Sequence, residues 1–108
     1  MLRYLIVRRE STRVEALTLL GGEVLPVFEN ERATLAFLRS GGLTDGWRVR
    51  ETTPGELISL LVGHLPHVGL VVLDPTSRFL TGGVERRSTP KREFVAALMG
   101  EHTVSYAR

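Results

Sequence analysis

The chain contains no cysteine, one tryptophan and a single lysine, Lys91, among 14 basic residues. Without thiols there are no disulfides, no thiolate nucleophile and no cysteine-ligated zinc, so packing and hydrogen bonds must hold the fold. Aromatic residues make up only 6% of the sequence, a thin supply for stacking nucleic-acid bases. No apolar run approaches the roughly 20 residues a bilayer crossing needs. Residues 1–9 lack the apolar stretch and small-residue cleavage site of a signal peptide. These absences set two expectations: no membrane association and a cytoplasmic location.

What is present suits a small globular domain. Hydrophobic residues are 43% and charged residues 24% of 108 residues, which argues against disorder and for one domain over 1–108. The net charge of +2 is a weak pointer to a polyanionic partner. The remaining basic residues are all arginine, a skew that suits ion pairs as readily as phosphates.

Apolar periodicity alternates between strand and helix signals. Leu2, Tyr4 and Ile6 alternate with Arg3, Leu5 and Val7 as in a strand. A second strand-like run over 14–20, equally a short helix by its pattern, leads into Gly21-Gly22, a hairpin turn, and then into 23–28. Pro26 cannot donate to a ladder, which predicts an edge or a bulge there. Asn30 caps a helix with Glu31 in its first turn, and Ser40-Gly41-Gly42 stops it. Trp47-Arg48-Val49-Arg50 alternates as a strand. Thr53-Pro54-Gly55-Glu56 carries a capping box for a strongly apolar helix, which is expected to end at Gly63. The continuous apolar run over 68–73 predicts a central strand covered on both faces, ended by Asp74-Pro75. Thr89-Pro90 reads as a third helix start with Gly100 as its stop, and residues 103–106 as a last short strand. Together these predict an α+β domain: a mixed β-sheet of four to six strands, with two or three helices packed mainly on one face.

Three segments carry a resemblance to a known family. Leu25-Pro26-Val27-Phe28-Glu29-Asn30-Glu31, Thr53-Pro54-Gly55-Glu56-Leu57 and Val68-Gly69-Leu70-Val71-Val72-Leu73-Asp74-Pro75 resemble the N-terminal domain of the SseB family. The resemblance spans residues 23–75, with Asp74-Pro75 standing where the family has Asn-Pro. It implies an α+β domain and carries over no catalytic residue.

Candidate chemistry is sparse. His64 and His67 flank Leu65-Pro66, and the expected helix break denies them a shared metal; no metal and no cofactor is expected. The pairs Gly21-Gly22, Gly41-Gly42 and Gly82-Gly83 fit turns and helix stops, not phosphate loops. Asp74 follows the central strand, where open α/β sheets place ligands, although Asp-Pro also simply starts a turn, with Thr76 or Ser77 as its donors. Arg78, Arg86, Arg87, Lys91 and Arg92 gather positive charge near the Thr89 helix start, with Glu85 and Glu93 interrupting it. A speculative ligand or anion site therefore comprises Asp74, Arg86, Arg87, Lys91 and Arg92. Trp47 belongs to the core or anchors a partner. No nucleophile elbow supports a hydrolytic triad, and no enzyme is expected. The expected function is a non-enzymatic protein-interaction or assembly module. Its partner would be another protein or a second copy, met by strands such as the one over 2–7. A small-ligand or anion-binding domain is the alternative, and nucleic-acid binding ranks below both.

Overall fold

The computed structural model describes residues 2–10, 15–76 and 88–106, with side chains through residue 101. Its elements run β1 (Arg3–Arg8), β2 (Val24–Val27), α1 (Glu31–Ser40), β3 (Trp47–Thr52), α2 (Pro54–Ser59), β4 (Leu70–Leu73), β5 (Ser88–Pro90) and α3 (Lys91–Tyr106). This is the expected α+β architecture, with five strands and three helices among the described residues. β1 pairs antiparallel with β3 from Arg3 opposite Thr52 to Arg8 opposite Trp47. β4 lies in the middle of a mixed ladder, parallel to β2 and antiparallel to β5. Tyr4 and Phe28 join the two ladders by exchanging backbone hydrogen bonds of 2.8 and 2.9 Å.

Strand alternation decides which helix covers which face. Leu5 and Val7 of β1 join Leu25, Val27 and Val71 in a core closed by Leu57 and Leu61 and by Phe94 and Leu98 of α3. Ile6 points the opposite way, into a cluster with Phe28, Val72 and the α1 residues Phe37 and Leu38. So α2 and α3 share one face, and α1 covers the other. Val71 and Val72, adjacent in sequence and buried in different clusters, account for the unbroken apolar run of β4.

Local chemistry fixes the helix starts. The Asn30 side chain accepts from the Ala33 amide at 2.8 Å, and Thr53 and Glu56 bond each other's amides at 3.2 Å to form the capping box. Pro26 sits where its missing amide costs no ladder bond. The carbonyls of Glu23 and Val27 serve the β4 side, whereas Val24 and Phe28 bond Leu19 and Tyr4 on the other, and Pro26 shares their orientation.

Several expectations are corrected. The segment before Gly21 forms no named strand over its described part; it makes only isolated bridges, Val7 to Ala16 and Leu19 to Val24. Gly21 and Gly22 do turn the chain there, at φ of 69° and 100°. Thr89 and Pro90 belong to β5, and helix α3 begins one residue later. Gly100 does not stop α3, and the predicted strand over 103–106 is helical. An interior glycine costs a helix only about 1 kcal/mol, and Arg3 grips Glu101 just beyond it at 3.0 and 2.8 Å. The strand over 2–7 is not available to a partner, since β3 takes one edge of β1 while Phe28 and Ala16 meet the other.

Gly63 does not end the second helix either. The chain widens into a π turn over Leu60–His64, with the Leu65 amide donating to the Leu60 carbonyl at 2.9 Å. Among the described residues no helix is long and apolar enough to cross a membrane. Val14, Ser77, Arg78, Gly82, Gly83, Glu85, Arg86 and Arg87 lie outside the described residues.

Candidate functional site: a cleft beneath the second helix

Thr52 ends β3 and Thr53 caps α2, so the helix turns back against the ladder face that carries Leu5 and Val7. Between them lies an open cleft of about 650 Å³. Its apolar surface comes from Leu5 and Leu60, and its polar surface from Glu15, from Arg50 and Thr52 of β3, and from Glu56, Ser59 and His64. Leu5 and Leu60 are both buried, so the apolar part is the floor, while Glu15, Glu56, Ser59 and His64 are exposed at the rim.

The helix delivers four of these side chains through its periodicity. Glu56, Ser59, Leu60 and His64 stand at i, i+3, i+4 and i+8, which places them along one stripe. His64 reaches that stripe because the π turn carries the helix past Gly63, and such turns recur at functional sites.

Both rim glutamates are already paired, Glu56 with Arg50 of the cleft and Glu15 with Arg8, whose guanidinium stacks on Trp47 outside the lining. Arg50 Nη2 lies 3.5 Å from Glu56 Oε2, and Arg8 Nε lies 3.1 Å from Glu15 Oε2. Among the described residues, no hydrogen bond or ion pair engages the Ser59 hydroxyl or the His64 ring. The cleft therefore offers a hydroxyl, an imidazole, the Arg50–Glu56 ion pair and the Glu15 carboxylate around an apolar floor. That arrangement can orient an amphiphilic molecule by hydrogen bonds while burying its apolar part.

His64 and His67 go to different places. His64 lines the cleft, whereas the His67 ring packs on Gly22, where a Cβ would meet its Cδ2 at 3.0 Å. Among the described residues, no group of three or more His, Asp or Glu side chains is placed to hold a metal ion.

Of the residues nominated from sequence, Asp74 and Lys91 lie at opposite ends of β4. Asp74, at φ 47°, accepts the Glu29 amide through Oδ1 at 3.0 Å, and its own amide donates to the Val27 carbonyl at 2.8 Å. It ties the end of β4 to the loop that enters α1. The Lys91 amide bonds the Gly69 carbonyl at 2.9 Å, at the start of β4. Its ammonium donates to the carbonyls of Leu61, Leu65 and Pro66 at 3.2, 3.0 and 3.3 Å. It caps the π turn, where a helix leaves carbonyls without partners and its dipole is negative. Arg92 is exposed on α3, and Arg86 and Arg87 fall outside the described residues.

No residue of the cleft was nominated from sequence for a ligand site; His64 was weighed only as a metal ligand and set aside. The stripe of Glu56, Ser59, Leu60 and His64 was a usable signal, hidden by taking Gly63 as the helix end. Arg50, Thr52 and Glu15 converge on it through strand pairing, which leaves no local mark.

No protein-family profile matches this chain, no curated protein matches it, and no solved structure matches its fold.

Proposed function

We propose that this domain is a non-enzymatic binding module that holds a small polar organic molecule with an apolar portion in the cleft beneath α2. The observation that carries the reading is the cleft itself, about 650 Å³ with Leu5 and Leu60 as floor and Ser59 and His64 uncommitted at the rim. Its volume falls within the roughly 300–1,000 Å³ typical of small-molecule sites. The polar groups suit hydrogen-bonded orientation, and the exposed rim leaves the entrance open. The resemblance of residues 23–75 to SseB N-terminal domains belongs to the same proposal and adds an α+β ancestry without naming a ligand.

A thermal-shift screen against metabolites tests it, because a ligand that binds only the folded form raises the melting temperature. At a hundredfold excess over Kd the gain is about 2.7 kcal/mol, which is on the order of 10 °C for a domain of this size. Ser59→Trp fills the entrance from an exposed position and abolishes the shift while leaving the unliganded melting temperature within a few degrees. A hit whose shift survives Ser59→Trp refutes the site.

A further inference from the structure

β3 is an open edge among the described residues, since it pairs only with β1. Which of its backbone groups face outward follows from the bonds on the far side of β1. Tyr4 exchanges hydrogen bonds with Phe28, the Ile6 carbonyl accepts from Leu17, and the Arg8 amide donates to Glu15. The even-numbered residues of β1 thus point away from β3, so Arg3, Leu5 and Val7 make the ladder to Thr52, Arg50 and Arg48. Trp47, Val49 and Glu51 then direct their amides and carbonyls to the open side. Arg9 reaches the Trp47 carbonyl at 3.4 Å; no hydrogen bond from another described residue reaches the backbone of Val49 or Glu51.

The side chains state which strand fits that edge. Arg48, Arg50 and Thr52 share the α2 face, and Trp47, Val49 and Glu51 share the α1 face. Arg48 is exposed and has no ion-pair partner among the described residues, whereas Arg50 already shares its charge with Glu56 at 3.5 Å, so Arg48 is the cation that selects the occupant. A second copy is a poor occupant. Antiparallel self-pairing about a two-fold axis keeps each residue on its own face, so according to register it sets Arg48 against Arg48, Arg48 against Arg50, Arg50 against Arg50 or Glu51 against Glu51. Like charges directly opposite each other destabilise a ladder. The complementary occupant is a strand with carboxylates at alternate positions and apolar residues between them.

We infer that β3 is a docking edge for an extended acidic segment of another protein, which adds a strand through Val49 and Glu51 and sets a carboxylate opposite Arg48, with the next one beside the Arg50–Glu56 pair. The mode is β-augmentation: main-chain bonds supply affinity and alternate side chains supply selection. It does not depend on the cleft holding a ligand.

The test uses the full chain and a fluorescein-labelled peptide of alternating glutamate and valine flanked by serine, with a lysine-valine peptide as its control. Fluorescence anisotropy is expected to show saturable binding of the glutamate peptide and binding of the lysine peptide weaker by about tenfold or more. Arg48→Glu is expected to weaken the glutamate peptide by about fivefold to tenfold, and Arg48→Lys to keep most of its affinity. Glu51→Pro removes one outward amide at an exposed position without touching the β1 ladder, and is expected to abolish binding. Equal binding of both peptides, no binding at millimolar peptide, or full affinity in both Arg48→Glu and Glu51→Pro overturns the inference. So does a stable dimer in light scattering that Glu51→Pro dissolves, because β3 would then serve a second copy.

Discussion

The ammonium of Lys91 lies 3.0 Å from the carbonyl of Leu65, so the chain's single lysine closes the wide turn that carries His64 into the cleft. The same ammonium reaches the Leu61 and Pro66 carbonyls, and it is held in place by the first turn of α3. A residue drawn from the basic stretch by its charge thus works as a clasp between two helices.

Lys91→Met keeps the length of the side chain and strips those carbonyls of their donor. Hydrogen bonds to a charged group are worth about 1.5–3 kcal/mol, and part of that is recovered by water at this half-buried site. Urea denaturation should show a loss of about 1–2 kcal/mol, with faster amide exchange at Leu65. A loss below about 0.5 kcal/mol, the range of featureless surface changes, contradicts the clasp.

Arg3 and Glu101 give a pH-dependent brace between β1 and α3. The two-pronged hydrogen bond from Arg3 holds the Glu101 carboxyl below its ordinary value of 4.5, against a smaller opposing effect of burial. A carboxyl depressed in the folded state stabilises fully above its unfolded value, and that contribution is lost as pH falls through the folded one. Glu101→Gln should therefore be less stable than the parent at pH 7, and the difference should close in acid. A gap that stays constant from neutral to strongly acidic pH contradicts the brace.

Thr53 caps the helix that roofs the cleft. Thr53→Ala removes the hydroxyl that accepts from the Glu56 amide and donates to the Glu56 carboxylate, leaving only the bond from the backbone amide of residue 53 to Glu56. Loss of such a cap costs about 1 kcal/mol. Equilibrium denaturation should report that cost, and Thr53→Ser should recover most of it.

Gly22 is required by both conformation and space. Its φ of 100° lies where a side chain is strained, and a Cβ would sit 3.0 Å from the His67 ring. Gly22→Ala should destabilise by about 1–3 kcal/mol. Adding His67→Ala relieves the contact and leaves the backbone strain, so the double variant should recover only part of the loss. Complete recovery would show that the strain is negligible.

How far the fold was legible follows from where its information lies. Capping residues, the doubly apolar strand at 70–73 and the turn glycines act through neighbours in sequence, and Asn30, Thr53 and Gly21 behave as their local chemistry dictates. The misjudged positions are those where a distant group overrules a local cue. Gly63 looked like a helix end until Lys91, far along the chain, bonded the Leu61 carbonyl before it and the Leu65 and Pro66 carbonyls beyond it. Gly100 looked like another, but Arg3 anchors the next residue. The cleft was illegible for the same reason: Leu5, Glu15, Arg50 and His64 become neighbours only through β1–β3 pairing and the docking of α2. Asp74 sits at φ 47° just past β4 and accepts the Glu29 amide from across the sheet, a partner no local cue announces, while Ser77, one of the donors expected for it, lies outside the described residues.

The most direct measurement is an amide NMR titration of the full chain with a ligand that raises its melting temperature. If the cleft beneath α2 is the binding site, the largest shifts fall at Thr52, Glu56, Ser59, Leu60 and His64, and vanish in Ser59→Trp. Shifts centred instead on Asp74 or on Lys91 and Arg92, with the α2 amides unmoved, would contradict it.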